Sequence, residues 1–381
     1  MPAASSPPFA LPLATRPGTP SSIRLGPPPA LWPLYEQLDA LRRWQGRILD
    51  AAGCGPQQCP PREVLRRPGY NLQAYAPAQG AGSPIVIVPA PIKPAYVWDL
   101  APGSSVVEAC LAGGLRPYVV WWDTPAPEFG LAAYADRFLA ECLDAVAAET
   151  GQARAILAAH SLGGLFAAAF AALHPERVAA LALIAAPLNF GFEQEDGALG
   201  PIMAALGRAR WLDRAPAGNL PGSFLSLAGF LAAPAAFGQE RIADWLRSLP
   251  DRSAAGTHMR VERWTLDERP LARRLVEELV ERVYPDNALM TGRLALESGC
   301  PSPRGLTAPL LTVADAGCPV VPPRSQLPFH AAAASREKRL LWYGGDTGVG
   351  IRHIGPLVGR SAHRELWPQI LAWLCSRAVG G

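Results

Sequence analysis

Lysine is nearly absent from this chain of 381 residues, which contains only Lys93 and Lys338. Basic charge is therefore carried almost entirely by arginine, and 35 basic residues against 32 acidic ones leave a net charge of only +3. The arginines are spread along the chain and interspersed with aspartate and glutamate. This distribution argues against a nucleic-acid-binding protein.

Clustered cysteine and histidine ligands are also lacking. The seven cysteines form no CxxC pair and no metal-ligand spacing with the six histidines. The sequence therefore predicts no metal site and no cofactor. An odd number of scattered cysteines in a chain of this length indicates reduced thiols, and hence a cytoplasmic protein.

No long uninterrupted apolar run occurs in the sequence. The most apolar region, residues 155–187, contains charged side chains such as Glu176 and Arg177, so no membrane span is predicted. Prolines interrupt the N-terminal segment, which lacks the continuous apolar core of a signal peptide. Residues 1–29 are rich in Pro, Ala and Ser and are expected to be disordered.

Short apolar segments alternate with helical segments through much of the chain. The predicted strands are residues 71–75, 85–88, 118–122, 155–158, 180–185, 310–313 and 339–343. The predicted helices are residues 105–111, 131–149, 164–173 and 324–335. This alternation is typical of an α/β fold with a mostly parallel sheet and helices on both faces. Functional residues are then expected at the carboxyl ends of the strands.

Two further segments complete the predicted organisation. Residues 31–51 have helical spacing with Leu34, Leu38, Leu41 and Trp44 on one side, which predicts a helix packed on the body. Residues 190–305 have helical patterning without strands, which predicts a cap or lid over the core. The alternative is a helical subdomain that only extends the core. The predicted units are an N-terminal helix and linker (30–60), an α/β core (61–189 and 306–377) and a helical cap (190–305).

The segment Ala159-His160-Ser161-Leu162-Gly163 lies between an apolar strand and an Ala-rich helix. A strand, a tight turn with one serine, and a helix form the nucleophile elbow of the α/β-hydrolase fold. Ser161 is the candidate nucleophile, and the backbone N–H of Leu162 is expected to stabilise an oxyanion at the helix N-terminus. The alternative interpretation is an ordinary serine in a strand-to-helix turn.

A serine nucleophile needs a base and a group that orients the base. In this fold the chain order is serine, acid, histidine, and His353 fits as the base in the Gly-rich loop before the final helix. Asp315 is the carboxylate in the loop where the acid is expected, with Asp346 as its nearest competitor. For the second oxyanion donor, the loop after the early strand offers the N–H of Ala90 or Ile92, of which Ile92 is preferred.

Ordered matches from about residue 61 to residue 374 resemble the polyhydroxyalkanoate synthases, particularly the short two-subunit type. The matching pieces are Pro61-Arg62-Glu63-Val64, PAPIKPAYVWDLAPGSSVVEACL (89–111), GLRPYVVWWDTP (114–125), the elbow with AALHPERVAALALIAAPLNF (171–190), VERWTLDERP (261–270), VYPDNALMTGRLAL (283–296), VVPP (320–323), HIG (353–355) and ELWPQILAWL (365–374). The resemblance implies an α/β-hydrolase core, a helical cap, and hydroxyacyl thioester or polyester chemistry.

The same resemblance implies that nucleophile, acid and histidine stand at Ser161, Cys318 and His353. The synthases have cysteine and aspartate at the first two of these positions, so this chain departs from them twice. A neutral thiol orients a histidine poorly, and Asp315 is expected to substitute for it. An acyl group on serine is an oxyester, which is less activated toward a chain-end alcohol than a thioester, so serine favours hydrolysis.

These observations predict an α/β-hydrolase-fold serine hydrolase or acyltransferase. The first hypothesis is an ester or thioester hydrolase acting on hydroxyacyl groups, with a small acyl ester or acyl-coenzyme A as substrate. The second is a polyhydroxyalkanoate synthase or acyltransferase that uses serine with hydroxyacyl-coenzyme A. The third is a catalytically silent homologue that binds a polyester granule or a synthase partner subunit.

Overall fold

The computed structural model describes residues 31–76, 81–190, 218–232 and 234–377. The predicted disorder of residues 1–29 and part of the predicted cap lie outside these ranges. The strands are β1 (Arg62–Arg67), β2 (Tyr70–Ala74), β3 (Pro84–Val88), β4 (Asp99–Ala101), β5 (Ser104–Ser105), β6 (Arg116–Trp122), β7 (Ala155–His160), β8 (Val178–Ile184), β9 (Leu310–Ala314) and β10 (Lys338–Trp342).

The described helices lie both in the predicted core and in the predicted cap segment (residues 190–305). They are α1 (Trp32–Ala51), α2 (Val106–Ala112), α3 (Phe138–Thr150), α4 (Leu162–Leu173), α5 (Gly222–Ala232), α6 (Glu240–Ser248), α7 (Arg252–Thr265), α8 (Arg273–Glu278), α9 (Tyr284–Asp286), α10 (Ala288–Thr291), α11 (Leu327–Ala332), α12 (Gly355–Val358) and α13 (Trp367–Cys375). Single π-helical turns precede α3, α6 and α13 and follow α8.

Eight strands form one sheet in the order β1-β2-β6-β3-β7-β8-β9-β10, while β4 and β5 pair separately. The pairs β1/β2 and β2/β6 are antiparallel. Every other neighbouring pair in this sheet is parallel. The predicted α/β fold with a mostly parallel sheet is therefore confirmed, and each predicted strand overlaps an observed one.

The burial of each strand explains whether it can be predicted from the sequence. Every residue of β3, β7, β8 and β9 is buried, because helices cover both faces of the sheet. Such strands read as continuous apolar runs. The strand β1, with the sequence REVLRR, lies at the sheet edge and exposes four of its six residues. Its charged side chains suit an edge but give no strand signal, so it was missed.

Two apolar layers enclose the sheet. One contains Phe138 of α3 and Phe166 of α4, and the other contains Trp98 and Trp367, the latter on α13. The central parallel strands run in the same direction, so their carboxyl ends meet at one edge. The candidate active site lies at that edge.

The described part of residues 218–305 consists of helices and connecting loops, with only isolated β-bridges. The helix α1 packs against this segment through Trp32 and Tyr35, whose rings contact Phe224 of α5. Of the expected packing face of α1, Leu38 packs against this cluster, whereas Leu34, Leu41 and Trp44 are about half exposed. The larger aromatic rings at 32 and 35 fill the apolar contact instead.

All seven cysteines lie in the described part of the chain and carry free thiols. None of the helices there is long and apolar enough to cross a membrane.

Candidate active site

Ser161 occupies a sharp turn between β7, which ends at His160, and α4, which begins at Leu162. Its backbone has φ +54° and ψ −131°, a left-handed conformation that costs free energy for a residue with a Cβ. The Ser161 N–H donates to Ile184 O at 3.1 Å, and its carbonyl accepts from Gly164 N at 2.9 Å. These bonds hold the strained serine at the carboxyl edge of the sheet.

Small residues let the turn approach its neighbours closely. A Cβ added to Gly163 would lie 2.2 Å from Val88 O, the last residue of β3. A Cβ added to Gly164 would lie 2.3 Å from the Ala186 Cβ. Both distances are well below van der Waals contact, so glycine is required for α4 to start directly above the sheet.

His353 meets Ser161 across the site, with its Nε2 3.0 Å from the Ser161 Oγ. The buried His160 ring supports this placement, because its Nε2 lies 2.9 Å from the His353 carbonyl oxygen. Burial lowers the pKa of His160 to about 4, so that ring is neutral and donates its Nε2–H. Burial and then the neighbouring His160 hold the pKa of His353 well below 6.5. A neutral His353 is able to accept the serine proton.

The other ring nitrogen of His353 faces Cys318. Its Nδ1 lies 3.4 Å from the Cys318 Sγ, which also accepts from the Val321 N–H at 3.4 Å. Burial raises the pKa of Cys318 to about 11, so the group is a neutral thiol at pH 7. The arrangement is therefore Ser–His–Cys, with a weak neutral acceptor where such sites have a carboxylate.

Contrary to the prediction, Asp315 does not contact His353. Its two oxygens each accept a hydrogen bond at 2.7 Å from the Arg352 guanidinium, and one also accepts from Gly317 N. Glycines at 317 and 345 make room for Arg352, since a Cβ there would lie 2.5 Å and 3.0 Å from its Cζ. A forked guanidinium matches a carboxylate in two places, which explains why Asp315 turns to it.

Asp346, the competing candidate, is also engaged elsewhere. Its oxygens accept from the Tyr343 hydroxyl at 2.9 Å and from the Ser361 N–H and hydroxyl at 2.8 and 2.6 Å. Reasoning from the residues alone missed Cys318. The signal that locates this position is the family resemblance, which aligns it with the usual aspartate.

Both predicted oxyanion donors lie beside the cavity above Ser161. Leu162 is the first residue of α4, where the leading N–H groups have no partner within the helix. Ile92 and its competitor Ala90 line the same cavity. The assignment of Leu162 and Ile92 as donors stays a prediction.

The cavity above Ser161 and His353 has a volume of about 660 Å³. Its walls are mostly apolar and come from the core loops, from α1 and from cap helices. Leu38 of α1, Leu225 of α5 and Val280 stand on these walls. A cavity of this volume with mostly apolar walls is typical of a site that binds a small apolar group.

An ion cluster adjoins the cavity, with Arg42 and Lys93 on the cavity wall and the buried Glu268 behind them. The Glu268 carboxylate accepts from Lys93 Nζ at 3.0 Å and lies 2.8 Å from Arg42 Nε. Burial lowers the pKa of Lys93, and Glu268 opposes that shift. The cluster ties α1 and the loop of Ile92 to the cap segment.

Replacing Glu268 with glutamine should destabilise the fold by about 3 kcal/mol, because it removes the buried counter-charge of Lys93 and Arg42, which are themselves partly buried. Urea denaturation followed by circular dichroism measures this change. A matched Glu63→Gln variant removes the exposed partner of Arg66 and should change the midpoint much less. Equal midpoints for the two variants would contradict this account of the cluster.

Comparisons with known proteins agree with the geometry. A family model described as the alpha/beta hydrolase fold matches residues 89–262. Esterase RhEst1 from Rhodococcus sp. ECU1013 superposes with a TM-score of 0.50 at 19% identity, covering 83% of this chain and 98% of that one. At this identity the likeness concerns the fold alone. The family match and the sheet topology together show that the chain has the α/β-hydrolase fold.

The chain is also similar in sequence to polyester-forming polymerase subunits. The poly(3-hydroxyalkanoate) polymerase subunit PhaC of Haloferax mediterranei is 28% identical over 78% of this chain and 60% of its own length. The PhaC subunit of Allochromatium vinosum is 24% identical over 90% of this chain and 96% of its own. The chain thus spans only about three fifths of the Haloferax protein. Over most of its length the chain is thus similar to poly(3-hydroxyalkanoate) polymerase subunits.

Proposed function

We propose that the chain is a serine-dependent acyl-transfer enzyme that acts on hydroxyacyl esters or thioesters through an acyl-Ser161 intermediate. The observation that carries this proposal is the 3.0 Å contact between His353 Nε2 and Ser161 Oγ. Such a contact is what a base needs to remove the serine proton during attack. Acyl-coenzyme A is the proposed donor, by analogy with the synthase relatives.

The first half-reaction forms the acyl-enzyme. The Ser161 oxygen attacks the acyl carbonyl carbon while its proton passes to His353 Nε2. The developing oxyanion accepts hydrogen bonds from the N–H groups of Leu162 and Ile92. When the tetrahedral intermediate collapses, the bond to the leaving thiol or alcohol breaks and His353 returns its proton to that group. The apolar cavity holds the acyl chain.

The second half-reaction transfers the acyl group to an acceptor. His353 takes a proton from the acceptor hydroxyl, whose oxygen attacks the acyl carbon. When the bond from the acyl carbon to Ser161 Oγ breaks, His353 returns the proton to that oxygen. Water as acceptor gives a free hydroxy acid, whereas a chain-end alcohol gives a polyester. The oxyester on Ser161 favours water, whereas the similarity to polymerase subunits favours a chain-end alcohol. We therefore propose both acceptors.

Product identification separates these outcomes. Purified protein, alone and with a candidate partner subunit, is incubated with a 3-hydroxyacyl-coenzyme A, and released coenzyme A, free hydroxy acid and insoluble polymer are measured. Free hydroxy acid as the main product assigns a hydrolase, and polymer assigns a synthase. Absence of coenzyme A release and of ester cleavage would overturn the acyl-transfer proposal in favour of a silent binding homologue.

The pH dependence of kcat/KM should reflect the lowered pKa of His353. His353 acts as a base only when its ring is neutral. Burial and the neighbouring His160 keep the ring unprotonated until the pH falls well below 6.5. We expect activity to be constant through neutral pH, with the acid limb of the profile centred below 6.5. Initial rates between pH 4 and pH 8 test this, and a midpoint at or above 6.5 would contradict it.

A further inference from the structure

The loop that carries His353 is held by a carboxylate of the cap segment. Asp244, on α6, accepts from the Gly348 N–H at 2.9 Å through Oδ1 and from the Gly350 N–H at 2.8 Å through Oδ2. Gly350 is three residues before His353 in the chain. One side chain thus binds two amides of the segment that leads into the base.

The local backbone explains why these amides are available. Gly348 has φ +84° and Gly350 has φ +66°, both in the left-handed region that favours glycine. A Cβ on Gly348 would lie 2.4 Å from Ala254 O at the start of α7, so the loop lies directly against that helix. A Cβ on Gly350 would lie 3.0 Å from Val261. Amides turned outward by such a path need an acceptor, and Asp244 supplies it.

Asp244 is itself fixed from the side of α7. Its Oδ2 lies 2.9 Å from Nδ1 of His258, and both side chains are buried. Burial alone would raise the pKa of Asp244, yet the bonds from His258, Gly350 and Gly348 hold it below its ordinary value. The carboxylate is therefore charged at neutral pH and joins α6, α7 and the loop.

We propose that Asp244 is a positioning residue for His353, which couples the packing of the cap segment to the geometry of the base. This inference rests on the proposed function, since it assigns Asp244 a role only if His353 acts on Ser161. The contact between Nε2 and Oγ spans 3.0 Å, and a displacement of about 1 Å in such a contact costs up to about 10²-fold in rate. Asp244 does not contact substrate and acts through the loop.

The variant Asp244→Asn tests this proposal, because it preserves size but places an amide NH₂ against a backbone donor. We expect kcat to fall about 10- to 100-fold while KM stays within about threefold of wild type. The rate at which a fluorophosphonate labels Ser161 should fall by a similar factor. Circular dichroism and the melting temperature report whether the variant is folded under assay conditions.

Asp251→Asn is the matched control. Asp251 also joins the cap segment to the core, since it caps α7 at Ser253 N and pairs with Arg360 at 2.9 Å, but it does not touch the loop of His353. Its kcat should stay within about threefold of wild type. Equal losses in the two variants, or an Asp244→Asn enzyme within twofold of wild type, would overturn the positioning role.

A third variant decides the case if Asp244→Asn does not fold. His258→Asn loosens Asp244 from the side of α7 and leaves both loop amides bonded, so kcat should fall about three- to tenfold without a matching change in KM. Wild-type kcat in His258→Asn would then overturn the proposal. Absence of Ser161 labelling in the wild type would instead be a failure of the proposed function, which keeps the two failures distinct.

Discussion

Replacing Cys318 with aspartate is expected to raise kcat by about 10²-fold or more. In Ser–His–Asp triads the carboxylate fixes the histidine tautomer and stabilises the imidazolium that forms during attack, and its loss costs about 10⁴-fold. Here His353 faces a neutral thiol whose pKa is raised to about 11. Aspartate at this position would supply the missing charge beside Nδ1.

The surroundings of Cys318 favour this gain. The Val321 N–H already donates to the Cys318 Sγ at 3.4 Å, so a carboxylate placed there would find a backbone donor. Cys318 is also buried, which strengthens the attraction between a carboxylate and the imidazolium. The same charge would raise the pKa of His353 and move the acid limb of the kcat/KM profile to higher pH.

Cys318→Asn is the matched control, because asparagine has nearly the shape of aspartate without its charge. We expect it to remain within about tenfold of wild type. Steady-state kinetics of the three proteins, run across the pH range, measure both effects. If the kcat of Cys318→Asp were no higher than that of Cys318→Asn, the neutral thiol at position 318 would not be the group that limits kcat.

Removing the nucleophile should have an effect that depends on residue 318. In complete triads, loss of the serine costs about 10⁶-fold and loss of the aspartate alone about 10⁴-fold, so these costs are not additive. Because this chain already lacks the aspartate, Ser161→Ala should lower kcat by about 10²-fold. In a Cys318→Asp background the same substitution should cost about 10⁴-fold or more.

A double-mutant cycle over the wild type, Ser161→Ala, Cys318→Asp and the double variant measures this coupling. The two single-site effects should be strongly non-additive, with both Ser161→Ala proteins falling to the same residual rate. Equal fold losses in both backgrounds would mean that residues 161 and 318 do not act on a common histidine.

Much of the fold could be predicted because burial on both faces of the sheet leaves apolar runs in the sequence. The strands β3, β7, β8 and β9 were found for this reason. The elbow was found because its strain and its close contacts demand small residues around Ser161, as the approach of Gly163 to Val88 explains. His353 followed from chain order in this fold.

Partner choice among polar side chains could not be predicted in the same way. Asp315 and Cys318 lie three residues apart on one loop, and Asp315 pairs with Arg352 while Cys318 faces His353. The bonds of Asp244 to the loop glycines are equally non-local. The glycines themselves are a sequence signal, because a Gly-rich loop before a catalytic histidine needs acceptors for its amides.

The central claim, an acyl-Ser161 intermediate, is tested most directly by mass spectrometry of protein quenched during turnover of a 3-hydroxyacyl thioester. The acyl mass should appear on the peptide that contains Ser161 and be absent from the Ser161→Ala variant. An acyl group that maps to Cys318, or that persists at the same level in Ser161→Ala, would contradict the account.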